Sequence, residues 1–218
     1  MISSVVVGVD EAGRGAVIGP MVVAAVRCEA GDLPTEVDDS KRLSARTRRR
    51  ISALVATAPS VDVAYTRIEP EEIDDPRSSL TSVTVAAAQT VLRRLVRPGD
   101  RVLLDAADVD AARFGRQVAR GLRGLDVRVE AQHHADEEVP QVAAASVAAK
   151  VLRDVAVAAI DEEWAHVGGV GSGYPSDPVA RAFISQRLDA GGVLPDVVRQ
   201  SWATVRQLRA AHDQQTLS

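Results

Sequence analysis

The apolar residues come first as short β-branched runs and later as helical stripes. Residues 4–9 and 17–28 are rich in Val and Ile and read as two strands, interrupted at Gly13 to Gly15. Residues 31–43 are polar and turn-like. A helix is predicted from Ser44, a capping residue, with Ile51, Leu54 and Val55 as its apolar stripe. Residues 61–68, VDVAYTRI, alternate as a half-buried strand does. A helix over 80–96 stops before Pro98–Gly99, and RVLLD at 101–105 is a short strand ending in an acid. Residues 109–123 read as helix, 126–131 as strand, and 141–165 as a long Ala/Val-rich helix. The glycine- and proline-rich run GGVGSGYPSDP is a loop. Two further helices are predicted near 178–190 and 199–213. Consecutive strands followed by alternating helices and strands suggest a mixed sheet covered by helices on both faces. Gly191 and Gly192 mark where a C-terminal appendage would begin.

Composition narrows the class. The chain has 218 residues, 46% of them hydrophobic and 26% charged, which suits one substantial domain. Its net charge of −4 argues against a broadly basic nucleic-acid coat but leaves room for a local basic groove. The single cysteine, Cys28, allows no internal disulfide and suggests a reducing compartment. There is no signal-peptide pattern and no apolar run as long as a membrane span, so a soluble cytoplasmic protein is expected. Of 26 basic residues only Lys41 and Lys150 are lysines. Composition alone leaves both as ordinary surface residues. Either a GC-rich genome or a saline cytoplasm would account for the Arg and acid bias.

Three acids fall where strands finish or turn: Asp10 after VVVGV, Asp105 after RVLL, and Asp136 just past DVRVEA. Glu11 adds a fourth beside Asp10. Carboxylates gathered at one point repel one another, and a divalent cation removes that repulsion. Oxygen-only ligands suit Mg²⁺ or Mn²⁺ better than zinc. Two such ions about 4 Å apart can activate water and stabilise a leaving oxygen in phosphodiester cleavage. An Asp at a strand end is also an ordinary turn former or helix cap, and for Asp105 alone that reading is the stronger. Asp10 and Glu11 are harder to dismiss, because acids after an unbroken apolar strand are costly unless compensated.

Gly13-Arg14-Gly15 follows at once. Glycines there permit unusual backbone angles and close approach, and the peptide N–H groups of such a turn can face a phosphate or a sugar hydroxyl. By spacing alone it is equally a hairpin turn.

The motifs DEAGRG (10–15), DSKRLS (39–44), LLDA (103–106), HHAD (133–136), AASVAAKVLRD (144–154) and GSGYPSDP (171–178) occur in that order. The series closely resembles the ribonuclease HII family, the type 2 ribonucleases H, from Val5 to about Leu208. GSGYPSDP and the closing QSWATV at 200–205 are similar to its archaeal branch. The resemblance implies an α/β, RNase H-like fold: a mixed five-stranded sheet flanked by helices, with a catalytic domain at 1–190 and a C-terminal helical appendage at 191–218. It implies an endonuclease that cuts the RNA strand of RNA/DNA hybrids and cuts 5′ of ribonucleotides embedded in duplex DNA, leaving 3′-hydroxyl and 5′-phosphate ends. The catalytic, metal-binding acids would be Asp10, Glu11, Asp105 and Asp136, holding Mg²⁺ or Mn²⁺, two ions when substrate is bound. Gly13, Arg14 and Gly15 would read the ribose, whose 2′-hydroxyl distinguishes RNA from DNA. Tyr174 would stack at the RNA–DNA junction. Ser40 and Lys41 in DSKRLS, and Ser146, Lys150 and Arg153 at helical spacing on one face, would meet the substrate backbone. The family's usual state implies a monomer.

The chain departs from the family pattern at three places near these residues. His134 stands where a lysine is usual, Gln132 where archaeal members often carry Glu, and Val139 where they often carry Tyr. None is one of the four acids. Two other classes compete with the resemblance: another RNase H-fold nuclease, such as a resolvase or 3′–5′ exonuclease, and a hybrid-binding module without catalysis. The first leaves the GRG turn and the GYPSDP loop unexplained. The second leaves four retained acids without a purpose. A phosphate-binding small-molecule enzyme fails because GxGxxG is absent and the glycine turn joins two strands.

Overall fold

The computed structural model describes residues 5–34, 37 and 44–216. The expected substrate contacts Ser40 and Lys41 therefore lie outside the described residues. Within them the chain forms two compact units. The first comprises residues up to Ala12, then Val22–Arg67 and Leu80–Leu152, and the second Gly13–Met21, Ile68–Ser79 and Arg153 onward. Compactness thus divides the chain elsewhere than at 190, and it groups residues 153–190 with the C-terminal helix.

The first unit is built on a five-stranded sheet in the order β3-β2-β1-β4-β5. Its strands are β1 (Val6–Ala12), β2 (Met21–Cys28), β3 (Asp62–Ile68), β4 (Arg101–Asp105) and β5 (Arg128–Gln132). β1 runs antiparallel to β2 and parallel to β4, and β4 is parallel to β5. The sheet is mixed, as the element order suggested. Its helices are α1 (Ala45–Thr57), α3 (Leu80–Leu95), α4 (Ala111–Gly121), the single turn α5 (Ala135–Glu138) and the first half of α6 (Pro140–Glu163). Ser44 caps α1 by accepting the Thr47 amide at 3.1 Å.

β1 is the central strand, and its two faces are both covered. A Cβ placed on Gly8 would lie 2.2 Å from the Gln141 carbonyl carbon and 2.3 Å from the Val142 nitrogen. Only glycine lets α6 come this close to the strand. Val7 and Val9, which alternate to the other face, are buried as well. α3 packs against β1, and α4 packs against α3 and β5. Ile51 and Val55 of α1 join Val26, Cys28, Ala143, Ala144, Ala145 and Val147 in one core cluster, so α1 and α6 share a face of the sheet.

The second unit gathers α2 (Pro70–Asp74), the later turns of α6, α7 (Pro178–Asp189) and α8 (Ala203–Thr216). Its core holds Ile18, Val157, Phe183, Ile184 and Val205, with Trp164 edge-on to Phe183. Residues 13–20 are not part of β2, contrary to the expectation of a strand from 17. Ile18 instead makes an isolated antiparallel bridge with Val198. That long-range pairing has no local signature. α2 and α5 are too short to carry a hydrophobic period, which is why the pattern did not predict them. No helix among the described residues is long and apolar enough to cross a membrane.

Candidate active site

Strand periodicity explains how the first acid is delivered. Asp10 lies two residues beyond Gly8 and so shares its face, the one α6 covers. Two strand residues advance about 6.6 Å, and four helical residues about 6 Å. The helix stripe that meets Gly8 at Val142 therefore reaches Asp10 at Ser146. The Ser146 hydroxyl donates to the Asp10 carboxylate, and the Glu11 amide donates to Asp10 Oδ1 at 2.7 Å. Asp10 is only 6% exposed. One turn further along the stripe, Lys150 is exposed to solvent.

The acids sit within β1 rather than past its end, because pairing with β2 continues through Asp10↔Ala24, Glu11↔Val23 and Ala12↔Val22. Register places the second acid beside the first. Val9 pairs with Leu104 in parallel, so Asp105, the next residue of β4, follows alongside Asp10. Asp105 Oδ1 accepts the Ala135 amide at 3.0 Å. This bond orients the turn after β5, where His134 adopts the left-handed conformation (φ 60°) and Asp136, buried, is the second residue of α5. His134 is the one non-glycine residue with positive φ among those described.

Three of the acids lie close enough to influence one another's charge. The Asp10 carboxyl is pushed well above its usual range, first by burial, then by Glu11 and, more weakly, by Asp105, against the stabilising bond from Ser146. Asp136 is tied to the group through the turn at Ala135. Among the described residues no three acidic, histidine or cysteine side chains close into a ready-made cage. The donor set nevertheless fits a hard divalent cation: oxygen-only, mutually repelling and backed by a bond that orients one member. Such a cation commonly takes one or two carboxylates and completes its shell with water and substrate phosphate.

The second unit carries the other expected residues. Gly13 has φ +83°, and a Cβ there would meet the Pro20 carbonyl at 2.9 Å, so the turn itself demands glycine. Gly15 is different: it is exposed, and a Cβ there would meet nothing within 4 Å. The Arg14 carbonyl accepts Arg199 Nη1 at 3.1 Å. Tyr174 is half-buried beneath Arg153, whose guanidinium carbon lies 4.5 Å from the ring centroid. Arg153 is 3% exposed and donates Nη2 to the Ser172 carbonyl at 2.7 Å. Helical spacing alone suggested that Ser146, Lys150 and Arg153 act together on a phosphate. In the structure Ser146 serves Asp10, Lys150 is open to solvent, and the head group of Arg153 is engaged in holding Tyr174 and its loop.

That loop is braced along its length. Asp161 Oδ1 accepts the Val170 and Gly171 amides at 2.7 and 2.8 Å. Asp177 accepts the Ser172 amide at 2.7 Å and its hydroxyl at 2.6 Å, bonds that hold its carboxyl below the usual range. The Gly173 carbonyl accepts the Val17 and Ile18 amides at 2.8 and 3.1 Å. The sequence reading passed over Asp161, Asp177 and Arg199. Asp177 was visible inside GSGYPSDP, and Arg199 directly precedes QSWATV, but only the fold shows what they hold.

Comparison with known proteins yields a consistent picture. The family model described as Ribonuclease HII matches residues 7–205. A ribonuclease HII of Natronomonas pharaonis is 43% identical over 211 residues, covering 97% of both chains. Among solved structures, the ribonuclease H2 of Pyrococcus horikoshii OT3 is 32% identical with a TM-score of 0.83, covering 96% of this chain and 99% of the other. The ribonuclease HII of Archaeoglobus fulgidus, solved in a complex with PCNA, is 33% identical with a TM-score of 0.78, over 93% and 96% of the two chains.

Proposed function

Since the chain belongs to the ribonuclease HII family, and so is a metal-dependent hydrolase that cleaves the RNA of RNA/DNA hybrids endonucleolytically, we propose a finer reading of its site. It incises duplex DNA on the 5′ side of an embedded ribonucleotide by a mechanism using two Mg²⁺ or Mn²⁺ ions, and leaves 3′-hydroxyl and 5′-phosphate ends. Asp10, Glu11, Asp105 and Asp136 are the residues that hold the metal. When bound, the ions supply Lewis acidity toward the scissile phosphate and the attacking water.

The observation that carries this reading is the buried Asp10 carboxylate, kept in place by Ser146 while Glu11 and Asp105 oppose its charge. A neutral group in that place would avoid both the burial and the repulsion, and a bound cation offsets them. The remaining roles belong to this chain's own groups. Ser146 fixes the orientation of Asp10 from outside the acid set. Lys150, exposed on α6, is placed to meet a substrate phosphate, and Ser40 and Lys41 are assigned the same task. Gly13, Arg14 and Gly15 present backbone groups to the ribose, and the open space over Gly15 supports this, because nothing among the described residues requires a glycine there. Tyr174 offers a ring face for stacking at the junction, with Arg153 fixing it from behind. The protein acts as a cytoplasmic monomer.

The test uses a labelled DNA duplex carrying one ribonucleotide, incubated with Mg²⁺, Mn²⁺ or EDTA beside an Asp105→Asn control. Metal-dependent cutting 5′ of the ribonucleotide, absent in the control, is expected. Cutting of long hybrids alone would remove the junction reading. Cutting of neither substrate, at low and high salt, would leave a binding module.

A further inference from the structure

Residues 13–21 leave the sheet and must return to it, and few of their backbone groups pair within the segment. Three of its carbonyls are held instead by one distant residue. Arg199 Nη1 donates to the Arg14 carbonyl at 3.1 Å, and Nε donates to the Gly19 carbonyl at 3.0 Å. The Arg199 amide donates to the Val17 carbonyl at 2.9 Å. Three carbonyls of a six-residue stretch are thus held by a single residue far away in sequence.

The manner of its burial is costly. Arg199 is 0% exposed, and among the described residues its Nη2 has no hydrogen-bond partner. Among the described residues no carboxylate pairs with it; Asp74, whose charge it feels, is bonded to the Gln200 and Ser201 amides. Burial, with Arg153 adding repulsion, lowers its pKa to about 10. The Trp202 ring lies 5.1 Å from its guanidinium carbon and gives partial compensation. An apolar side chain of similar volume would fill the space without this penalty. What it would lack is a rigid planar fork that fixes two carbonyls at a set separation.

The segment held in this way carries one of the two proposed recognition elements and is bonded to the loop of the other. Gly13–Gly15 begin it, and Val17 and Ile18 donate to the Gly173 carbonyl, one residue before Tyr174.

We propose that Arg199 is a positioning residue for ribose recognition: its fork fixes the Arg14 and Gly19 carbonyls, which aims the Gly13–Gly15 amides and sets their distance from Tyr174. This rests on the reading of Gly13–Gly15 as the ribose-binding turn. A substrate with one ribonucleotide depends on that aim most, because it offers a single 2′-hydroxyl in a single register, whereas a long hybrid offers many.

Arg199→Lys and Arg199→Met are compared with Phe183→Leu, a core change in the same unit, at temperatures where each is folded. On the single-ribonucleotide duplex the Arg199 variants are expected to lose kcat by about 10–100-fold. KM should move little, because phosphate contacts persist. The loss on long hybrids should be smaller, and Phe183→Leu should lower the thermal midpoint with kcat kept. In a Gly13→Ala background, Arg199→Lys should cost little more, since the turn is already displaced. Wild-type kcat in folded Arg199→Lys would overturn the proposal, as would additive effects with Gly13→Ala or an equal kcat loss in Phe183→Leu at matched stability. Should Arg199→Met fail to fold, Arg199→Lys decides. A wild-type protein that cuts neither substrate would instead overturn the functional reading, and this inference with it.

Discussion

Asp105 accepts the Ala135 amide at 3.0 Å, so the carboxylate that ends β4 also shapes the turn leading to Asp136. Its charge and its acceptor atom are therefore separable. Asp105→Asn keeps an oxygen for the amide and should fold with near-native stability while losing metal-dependent cleavage. Asp105→Ala leaves a buried N–H unpaired and should cost about 1–3 kcal/mol in addition. Urea unfolding of the two variants beside a cleavage assay checks this. Equal stability would show that the bond to Ala135 contributes nothing.

Asp10 should behave differently with and without metal. Its folded-state pKa is raised, chiefly by burial and then by Glu11, so the native state prefers the protonated form. The native state is then favoured below the unfolded carboxyl value near 4, and that advantage is lost as pH rises toward the folded value. At neutral pH in EDTA, Asp10→Asn is expected to raise the thermal midpoint, because a neutral amide replaces an opposed charge. With Mg²⁺ or Mn²⁺ present, the wild type should gain stability and the variant should not. Cleavage should fall by more than the roughly 10–100-fold that loss of an orienting partner costs. Ser146→Ala, which removes such a partner, should fall within that range. A midpoint lowered by Asp10→Asn in EDTA would contradict this account.

The two glycines of the GRG turn make opposite predictions for stability. Gly13→Ala forces a side chain into φ +83° and against the Pro20 carbonyl, and should destabilise by about 1–2 kcal/mol or more. Gly15→Ala meets open space and should change stability by no more than about 0.5 kcal/mol. If the turn binds the ribose as proposed, its cleavage of a single embedded ribonucleotide should nonetheless fall, since a methyl group would stand in the way of the sugar. Full activity in Gly15→Ala would remove the turn from the binding surface.

Cys28 gives a probe that needs no mutation. It is buried, and burial pushes its thiol up to about 12. Only the thiolate reacts, so modification in the native state should follow the rate of global opening. Because the folded pKa is the higher one, stability holds up to the unfolded thiol value near 8.5 and declines as pH rises toward about 12. Thiol-reagent kinetics across a urea series tests this. Rapid labelling at zero denaturant would mean that the β2 edge of the core opens locally.

The sequence by itself determined the local order. β-branched runs gave the strands, and the stripes in 45–57, 80–95 and 140–163 gave the helices, to within a few residues. Both follow from periods of two and about 3.6, which are properties of neighbouring residues. The acids after the apolar runs were legible for the same reason: a charge beside a buried strand is conspicuous one residue at a time. Which acids meet was decided by the parallel register of β1 on β4, a pairing of residues almost a hundred positions apart. Tertiary structure also set the path of 13–20, the burial of Arg153 against Tyr174, and the grip of Arg199 on the Arg14 and Gly19 carbonyls. In a linear chain Arg153 reads as a substrate contact and Arg199 looks like any other arginine. Their surroundings exist only once distant segments have packed, and it is packing that turns a surface cation into a buried brace.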